Sequence, residues 1–309
     1  MKALRKDWLA PAFVLVWSSG YVAGALATQV IAPLAVTMWR FLVAASVLAG
    51  IAAVRRERWP RGRELAALLG IGVPLFAVQF GALYTAMADG LPAGTTSLIA
   101  CSSPLAVAAI SALARWERLR PAQWLGVGLG VLGVLITLAD RVGRPPNLAS
   151  LLWALLGLAG LAGGTALQAR ARSTAGPAAI ASVEVAAGLA VLAIWAPLTD
   201  RLTIPLTAHA ICCFLWLSLI AGVGAPMLLF ALIRRRGATR ASSYLFVVPA
   251  VTAFAAWPLL GTPVGPLTVA GLVVVGVALL LTSGRFGVRR DAVVAPHRSA
   301  DRPAAAVPG

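Results

Sequence analysis

Long apolar stretches recur ten times along the chain, and short polar segments separate them. The stretches cover residues 9–29, 33–54, 64–86, 93–114, 121–139, 150–169, 178–197, 209–233, 239–259 and 266–284. An α-helix rises about 1.5 Å per residue, so about 20 residues cross the hydrocarbon layer of a bilayer. The pattern therefore predicts an all-α integral membrane protein with ten transmembrane helices.

Basic residues are distributed unevenly between these stretches. Of the 26 Lys and Arg residues, 22 lie in the two terminal segments or in loops of one predicted side, at 55–63, 115–120, 170–172 and 234–240. The loops of the other side contain Arg141, Arg144 and Arg201, and Arg40 lies inside the second stretch. Short loops rich in Lys and Arg remain in the cytoplasm. Both termini are therefore predicted to be cytoplasmic.

An alternative interpretation of the first stretch is a cleavable signal peptide, since Lys2, Arg5 and Lys6 precede an apolar run that ends near Ala27. Its removal would leave nine spans and would break the internal repeat described below.

The composition excludes the ordinary soluble classes, because 60% of the residues are hydrophobic and 12% are charged. A net charge of +16 would indicate nucleic-acid binding in a soluble protein, but here the charges lie at the ends of helices, where they set orientation. No nucleic-acid partner is expected. Residues 285–309 are basic and lack apolar periodicity, which predicts a disordered cytoplasmic tail.

The chain contains an internal repeat. Residues 81–104 align without a gap with residues 226–249 at an offset of 145, and the same offset pairs Pro121 with Pro266 and Gly126 with Gly271. The repeat predicts two five-helix domains, at 1–145 and 146–284, and an odd number of spans gives them opposite orientations in the membrane. Inverted repeats are the basis of alternating access in many secondary transporters. The alternative is a duplication that was kept for packing alone.

Several segments together resemble the EamA-type proteins of the drug/metabolite transporter superfamily. They are Trp17-Ser18-Ser19, Met38-Trp39-Arg40-Phe41, ALYTAMADGLPAGTTSL, Pro104, Trp116-Glu117-Arg118, Gln123 and Gly126 to Gly133. The resemblance extends over about residues 8–284. It implies a multi-pass carrier of the bacterial inner membrane, commonly an exporter of amino acids or related metabolites, with a central cavity between the halves.

Proline and glycine positions predict local features of the helices. Pro104 and Pro249, which the repeat pairs, are expected to kink the fourth and ninth helices. Gly126, Gly130 and Gly133 lie at helical spacing, which favours close packing of the fifth helix against a neighbour.

Two ionisable residues lie inside predicted spans, where charge is costly and commonly functional. Aligning Pro33 with Pro177 pairs Arg40 in the second helix with Glu184 in the seventh. Our hypothesis is that Arg40 attracts or binds a substrate carboxylate and that Glu184 couples transport to protons or binds an ammonium group. The alternative is that each side chain reaches its nearer interface or bonds a neighbouring helix.

Other polar and aromatic groups within the spans are candidates for the wall of a cavity, since such sites combine apolar walls with a few hydrogen-bonding groups. The substrate-binding candidates, besides Arg40, are Trp17, Tyr21, Gln79, Tyr84, Ser97 and Tyr244. Aromatic side chains at helix ends are also ordinary interface anchors.

Enzyme signatures are not apparent in the sequence. His209 and His297 do not form a metal motif, no P-loop is present, and no cofactor is expected. The prediction is a secondary transporter that moves a small amphipathic metabolite, most simply an amino acid or a drug-like compound, out of the cell by alternating access. A channel-like facilitator and a membrane-embedded lipid-handling protein are the alternatives.

Overall fold

The chain is described here by a computed structural model that covers residues 8–115, 119–140, 147–199, 201–236 and 244–282. No β-strand occurs in those ranges. The basic tail at 285–309, the Trp116-Glu117-Arg118 segment, and the charged residues of the first terminus and of loop 141–146 lie outside them. The predicted orientation of the termini is therefore not tested.

Helices account for most of the described chain. They are α1 Leu9–Ala27, α2 Pro33–Val54, α3 Arg63–Ala88, α4 Ala93–Leu113, α5 Pro121–Ala139, α6 Leu148–Arg170, α7 Pro177–Thr199, α8 with its segments Ala208–Leu215, Trp216–Gly224 and Ala225–Arg236, α9 Val248–Leu260, and α10 Pro266–Thr282. Eight helical stretches, those of α1 to α8, are long and apolar enough to cross a membrane, and the described parts of α9 and α10 are shorter and apolar. The all-helical membrane fold is confirmed, and ten crossings remain a prediction.

Proline begins four of these helices, at Pro33, Pro121, Pro177 and Pro266. Its fixed φ suits the first turn of a helix, where its missing N–H would have no helical partner in any case. Pro121 and Pro266, which the 145-residue offset pairs, each begin a helix, and so do Pro33 and Pro177, which are 144 residues apart.

The third helix of each half contains a π-helical segment. In α3 it is Val73–Val78 and in α8 it is Trp216–Gly224. The 145-residue offset carries 73–78 onto 218–223, inside the second segment. Widened turns of this kind are rare and are frequent at functional sites.

Helical segments of α4 and α9 also begin at paired positions. The first segment of α4 ends at Cys101, its next segment starts at Ser103 after the N-cap Ser102, and Pro104 lies in the new first turn. In α9 the N-cap is Val247, 145 residues after Ser102, and Pro249 lies in the first turn. Each proline thus stands where a helical segment begins.

Helices α5 and α10 pack closely through small residues. A Cβ added to Gly126 would lie 2.8 Å from the methyl carbon of Thr282, and one added to Gly271 would lie 2.9 Å from the backbone nitrogen of Thr137. Adding 145 to one contact pair gives the other pair in reverse. Two elements related by a two-fold axis would make reciprocal contacts of this form. Among the described residues, none that lines the central cavity comes from this pair or from α4 and α9.

Candidate functional site

A cavity of about 240 Å³ lies among the first three helices of each half, which are α1, α2 and α3 with α6, α7 and α8. Its wall includes both π-helical segments, through Leu75 and Phe76 on one side and Ala221 and Gly222 on the other. Five of the predicted binding residues line it, namely Trp17, Tyr21, Arg40, Gln79 and Tyr84. The rest of the wall is largely apolar.

Arg40 is the charged group of this wall. The residue is 5% exposed, one of its terminal nitrogens donates a hydrogen bond to the Tyr84 hydroxyl, and its Nε has no hydrogen-bond partner. Along the described chain no carboxylate lies within 4.0 Å of its guanidinium. A buried charge without a counter-ion costs several kcal/mol, so its retention calls for a functional explanation.

Aromatic rings surround the Arg40 guanidinium. The central carbon of the guanidinium lies 4.5 Å from the ring centroid of Phe80, 5.2 Å from that of Phe41 and 5.4 Å from that of Tyr84. Cation–π attraction of this kind contributes about 2 kcal/mol where the cation is desolvated. The rings therefore offset part of the burial cost and leave the Nε edge of the guanidinium unbonded.

The aromatic residues of α3 follow helical spacing. Phe76, Phe80 and Tyr84 are four residues apart and so lie on one helix face. Phe80 and Tyr84 meet edge to face, with centroids 6.1 Å apart and planes at 88°. Phe41 of α2 meets Phe80 in the same way, at 5.6 Å and 85°. Phe41, Phe76 and Phe80 were not among the predicted binding residues, although the four-residue spacing of Phe76, Phe80 and Tyr84 can be seen in the sequence.

Helix α1 contributes Trp17 and Tyr21 to the same wall. The Trp17 ring packs on Phe13, with ring centroids 5.3 Å apart. Gly24, one turn after Tyr21, leaves room for the Tyr84 ring, which an added Cβ would approach to 3.1 Å. Gln79 also faces the cavity, and its carboxamide makes no hydrogen bond with the described residues.

Ser97 and Tyr244 do not contribute to the cavity wall as the structure describes it. Ser97 is fully buried, and its hydroxyl donates to the Gly94 carbonyl of its own helix at 2.8 Å. Tyr244 is half-buried and packs on an apolar cluster that includes Phe13 and Cys101, against which Trp17 and Tyr21 also pack.

Glu184 lies beside the cavity rather than in its wall. It is 3% exposed, and both of its carboxylate oxygens accept from the Gln168 amide, at 3.0 and 3.1 Å. Its next neighbour, Val185, does line the cavity. Its backbone packs against Gly72, the residue that precedes the π-helical segment of α3. The sequence analysis had not paired Gln168 with this carboxylate.

The two ends of α2 contact the second half through different chemistry. Beyond its C-terminus, Glu57 accepts from the amides of Ala178 and Ala179 at 2.8 and 3.0 Å, and Glu64 accepts from the hydroxyl of Ser173 at 2.5 Å. Near its N-terminus, the Trp39 indole donates to the carbonyl of residue 202 at 2.9 Å. The α2 region is therefore joined to the second half of the chain by carboxylates beyond its C-terminus and by a tryptophan near its N-terminus.

Comparisons with known proteins agree with this architecture. The model of the EamA-like transporter family matches twice, at residues 4–139 and 148–284. A protein of Salmonella typhimurium described as "Probable amino-acid metabolite efflux pump" is 27% identical over 94% of this chain and 99% of its own length. "Uncharacterized inner membrane transporter YedA" of Escherichia coli K12 is 26% identical over 92% of this chain and 93% of its own length.

Solved structures share the fold. One of them superposes with a TM-score of 0.57 at 17% sequence identity, and the match covers 90% of this chain and 94% of that one. The family match confirms the resemblance seen in the sequence, and the inner-membrane assignment of the relatives agrees with the apolar helices. The chain belongs to the EamA-like transporter family and is a multi-pass transporter of the bacterial inner membrane.

Proposed function

We propose that this protein is a secondary transporter that carries a small amphipathic metabolite by alternating access, and that the cavity lined by Arg40 is its substrate site. The observation that carries the proposal is the buried guanidinium without a carboxylate partner along the described chain, at the wall of a largely apolar cavity between the two halves. A protein keeps such a charge at this cost where a ligand uses it.

The proposed mechanism rests on two inverted five-helix repeats with cytoplasmic termini. The reciprocal contacts of α5 and α10, the paired π-helical segments and the paired starts at Ser103 and Val248 all support it. In an inverted repeat, exchanging the conformations of the two halves converts an inward-open state into an outward-open state of similar energy. The cavity would then open to each side in turn.

Efflux is the proposed direction, with an amino acid, a related metabolite or a drug-like compound as the class of cargo. The description of the Salmonella relative supports that choice, since it names amino-acid metabolite efflux for a protein that aligns over nearly all of this chain.

Glu184 is the proposed proton-coupling group. It is a buried carboxylate that bonds to an amide, and along the described chain no Lys or Arg nitrogen lies within 4.0 Å of it. Because its backbone packs on Gly72 and Val185 lines the cavity, a change of its protonation would act on the cavity through α7 and through the π-helical segment of α3. Glu184 would therefore act on the cargo indirectly and would not contact it.

Counterflow in liposomes tests the proposed function. Vesicles with purified protein are loaded with an unlabelled compound, and entry of the same labelled compound is followed for 3-phenylpropanoate, L-phenylalanine and 2-phenylethylamine in turn. We expect a saturable, transient overshoot for at least one of them, and its loss in Arg40→Gln. Flux that neither saturates nor exchanges would indicate a channel, and no flux of any compound together with lipid turnover would indicate a lipid-handling protein.

The coupling role makes a separate prediction. Glu184→Gln should abolish accumulation driven by a proton gradient, because the amide cannot exchange a proton, while counterflow continues within about two-fold of wild type. Uphill accumulation that persists in this variant, at normal expression, would contradict the role of Glu184 and leave the substrate site untouched.

A further inference from the structure

The charges around the cavity are unbalanced. Arg40 supplies a positive charge to the wall, and none of the described acidic residues contributes to the wall. Glu57 and Glu64 accept hydrogen bonds from the 173–179 segment. Asp89 follows α3 and Asp140 follows α5. Glu184 accepts from Gln168 outside the wall. The cavity therefore carries a net positive charge along the described chain.

An ammonium group would find poor partners in this cavity. The hydroxyl of Tyr84 already accepts a hydrogen bond from Arg40. The ring faces that attract cations already surround the guanidinium, with Phe80 at 4.5 Å. Moving an ammonium from water to such a site leaves its charge unpaired and adds repulsion from Arg40.

A carboxylate would meet the opposite conditions. Nε of Arg40 has no hydrogen-bond partner, and the planar guanidinium suits two parallel bonds to carboxylate oxygens. An apolar body attached to that carboxylate would lie against Phe41, Phe76 and Val185, which also line the wall. The Gln79 carboxamide offers a further hydrogen bond.

From this charge inventory we infer that the cargo is a small organic acid, carried as an anion with an aryl or alkyl body and without a free ammonium group. The inference rests on the proposed function and narrows it, because a zwitterionic amino acid and a cationic drug are then poor substrates. An amino acid whose amino group has been removed or acylated has the required chemistry.

Three compounds with the same phenylethyl body separate these classes by charge alone. They are 3-phenylpropanoate, an anion, L-phenylalanine, a zwitterion, and 2-phenylethylamine, a cation. Each is titrated against the purified wild-type protein in detergent by calorimetry. We expect 3-phenylpropanoate to bind at least about 10-fold more tightly than phenylalanine, because the ammonium group of phenylalanine would be buried without a counter-ion near Arg40. Phenylethylamine should bind most weakly, because it has the ammonium group and lacks the carboxylate.

Variants then locate the charge responsible. Arg40→Gln should weaken 3-phenylpropanoate about 10-fold or more and should not weaken phenylethylamine, while Arg40→Lys should keep part of the affinity because it keeps the charge. Arg201→Gln is the matched control, since Arg201 is exposed in the α7–α8 loop, and it should leave all three affinities unchanged. The wild-type comparison decides the inference even if Arg40→Gln fails to fold.

The possible outcomes separate the inference from the proposed function. Equal or tighter binding of phenylalanine overturns the inference, and the proposed function stands if phenylalanine shows counterflow. Failure of 3-phenylpropanoate to bind also overturns it. The proposed function fails when none of the three compounds exchanges in liposomes.

Discussion

The two halves of the chain contribute very differently to the cavity, although they contribute equally to the scaffold. The 145-residue offset pairs Phe76 of α3 with Ala221 of α8, and Phe80 with Ala225. All four residues line the cavity. In α5 and α10, by contrast, Gly126 is paired with Gly271. Sequence identity is kept where backbones must approach, and it has been lost where the cargo is proposed to bind.

The same contrast holds for the two ionisable residues at equivalent places in α2 and α7. Arg40 faces the cavity among aromatic rings, whereas Glu184 lies outside the wall and bonds to Gln168. If the helices of the two halves are related by symmetry, the cavity can open to either side by equivalent movements. Side chains that differ between the halves can still make the cavity bind one chemical class of cargo. On this account the first half holds the substrate and the second half supplies small apolar surface.

The largest expected effect comes from removing the asymmetry of the paired positions. Ala225→Phe adds a ring to the cavity wall at the position that the 145-residue offset pairs with Phe80, and it should reduce counterflow about 10-fold or more because the added volume occupies the substrate space. Met227→Phe is the control two residues along the same helix, on a side chain that is 38% exposed, and it should change counterflow less than two-fold. Equal effects of the two substitutions would contradict the assignment of the cavity.

A smaller effect, on stability, is expected where the two halves keep the same residue, as at Gly126 and Gly271. Gly271→Ala adds a methyl group against the backbone of α5 and should lower the melting temperature by roughly 2–8 °C, because overpacking costs about 1–3 kcal/mol. Gly276→Ala is the matched control on the same helix, since nothing lies within 4 Å of its added Cβ, and it should not lower the melting temperature. A melting scan in detergent measures both. Similar melting temperatures for the two variants would argue against close packing of α5 on α10.

The smallest expected effect lies at the end of this helix pair. Asp140 follows α5 and accepts from the hydroxyl and the amide of Thr268 in α10, at 2.6 and 3.1 Å. Desolvation acts to raise its pKa, but these bonds and those from the amides of residues 267 and 265 outweigh it and hold the pKa of Asp140 below its ordinary value. A lowered folded-state pKa means that the stabilisation is present above the unfolded pKa, near 3.9, and is lost as the pH falls through the folded value.

Asp140→Asn should therefore lower the melting temperature by about 1–2 °C at pH 7, and the difference from wild type should shrink below about pH 4. Melting scans across this pH range give the comparison. A difference that is constant with pH would show that the carboxylate charge is not the stabilising feature.

Sequence reasoning predicted the scaffold more completely than the site. The length of the apolar stretches predicted the helical membrane fold, and the EamA resemblance predicted the family. Fold class and family are both encoded in long segments of the chain. The cavity wall depends on how helices far apart in sequence rotate against each other. For that reason Trp17 and Arg40 were found as polar groups within spans, while the rings of Phe41 and Phe80 beside the guanidinium were not anticipated.

Two further features lay beyond the sequence for local reasons. The π-helical segments at 73–78 and 216–224 change the hydrogen-bonding register without a distinctive residue pattern. Ser97 was expected in the cavity because it is a hydroxyl inside a span, but its bond to Gly94 satisfies it within its own helix. A polar residue within a span requires a hydrogen-bond partner, and the identity of that partner depends on the packing of the helices.

Accessibility of Ala225 tests most directly whether the cavity between the halves is the alternating substrate site. In a chain with Cys101, Cys212 and Cys213 replaced by alanine, Ala225→Cys is exposed to a membrane-impermeant thiol reagent in right-side-out and in inverted vesicles. We expect labelling from both sides and slower labelling when 3-phenylpropanoate is present. Labelling from one side alone, or a rate that the organic acid does not change, would contradict the account.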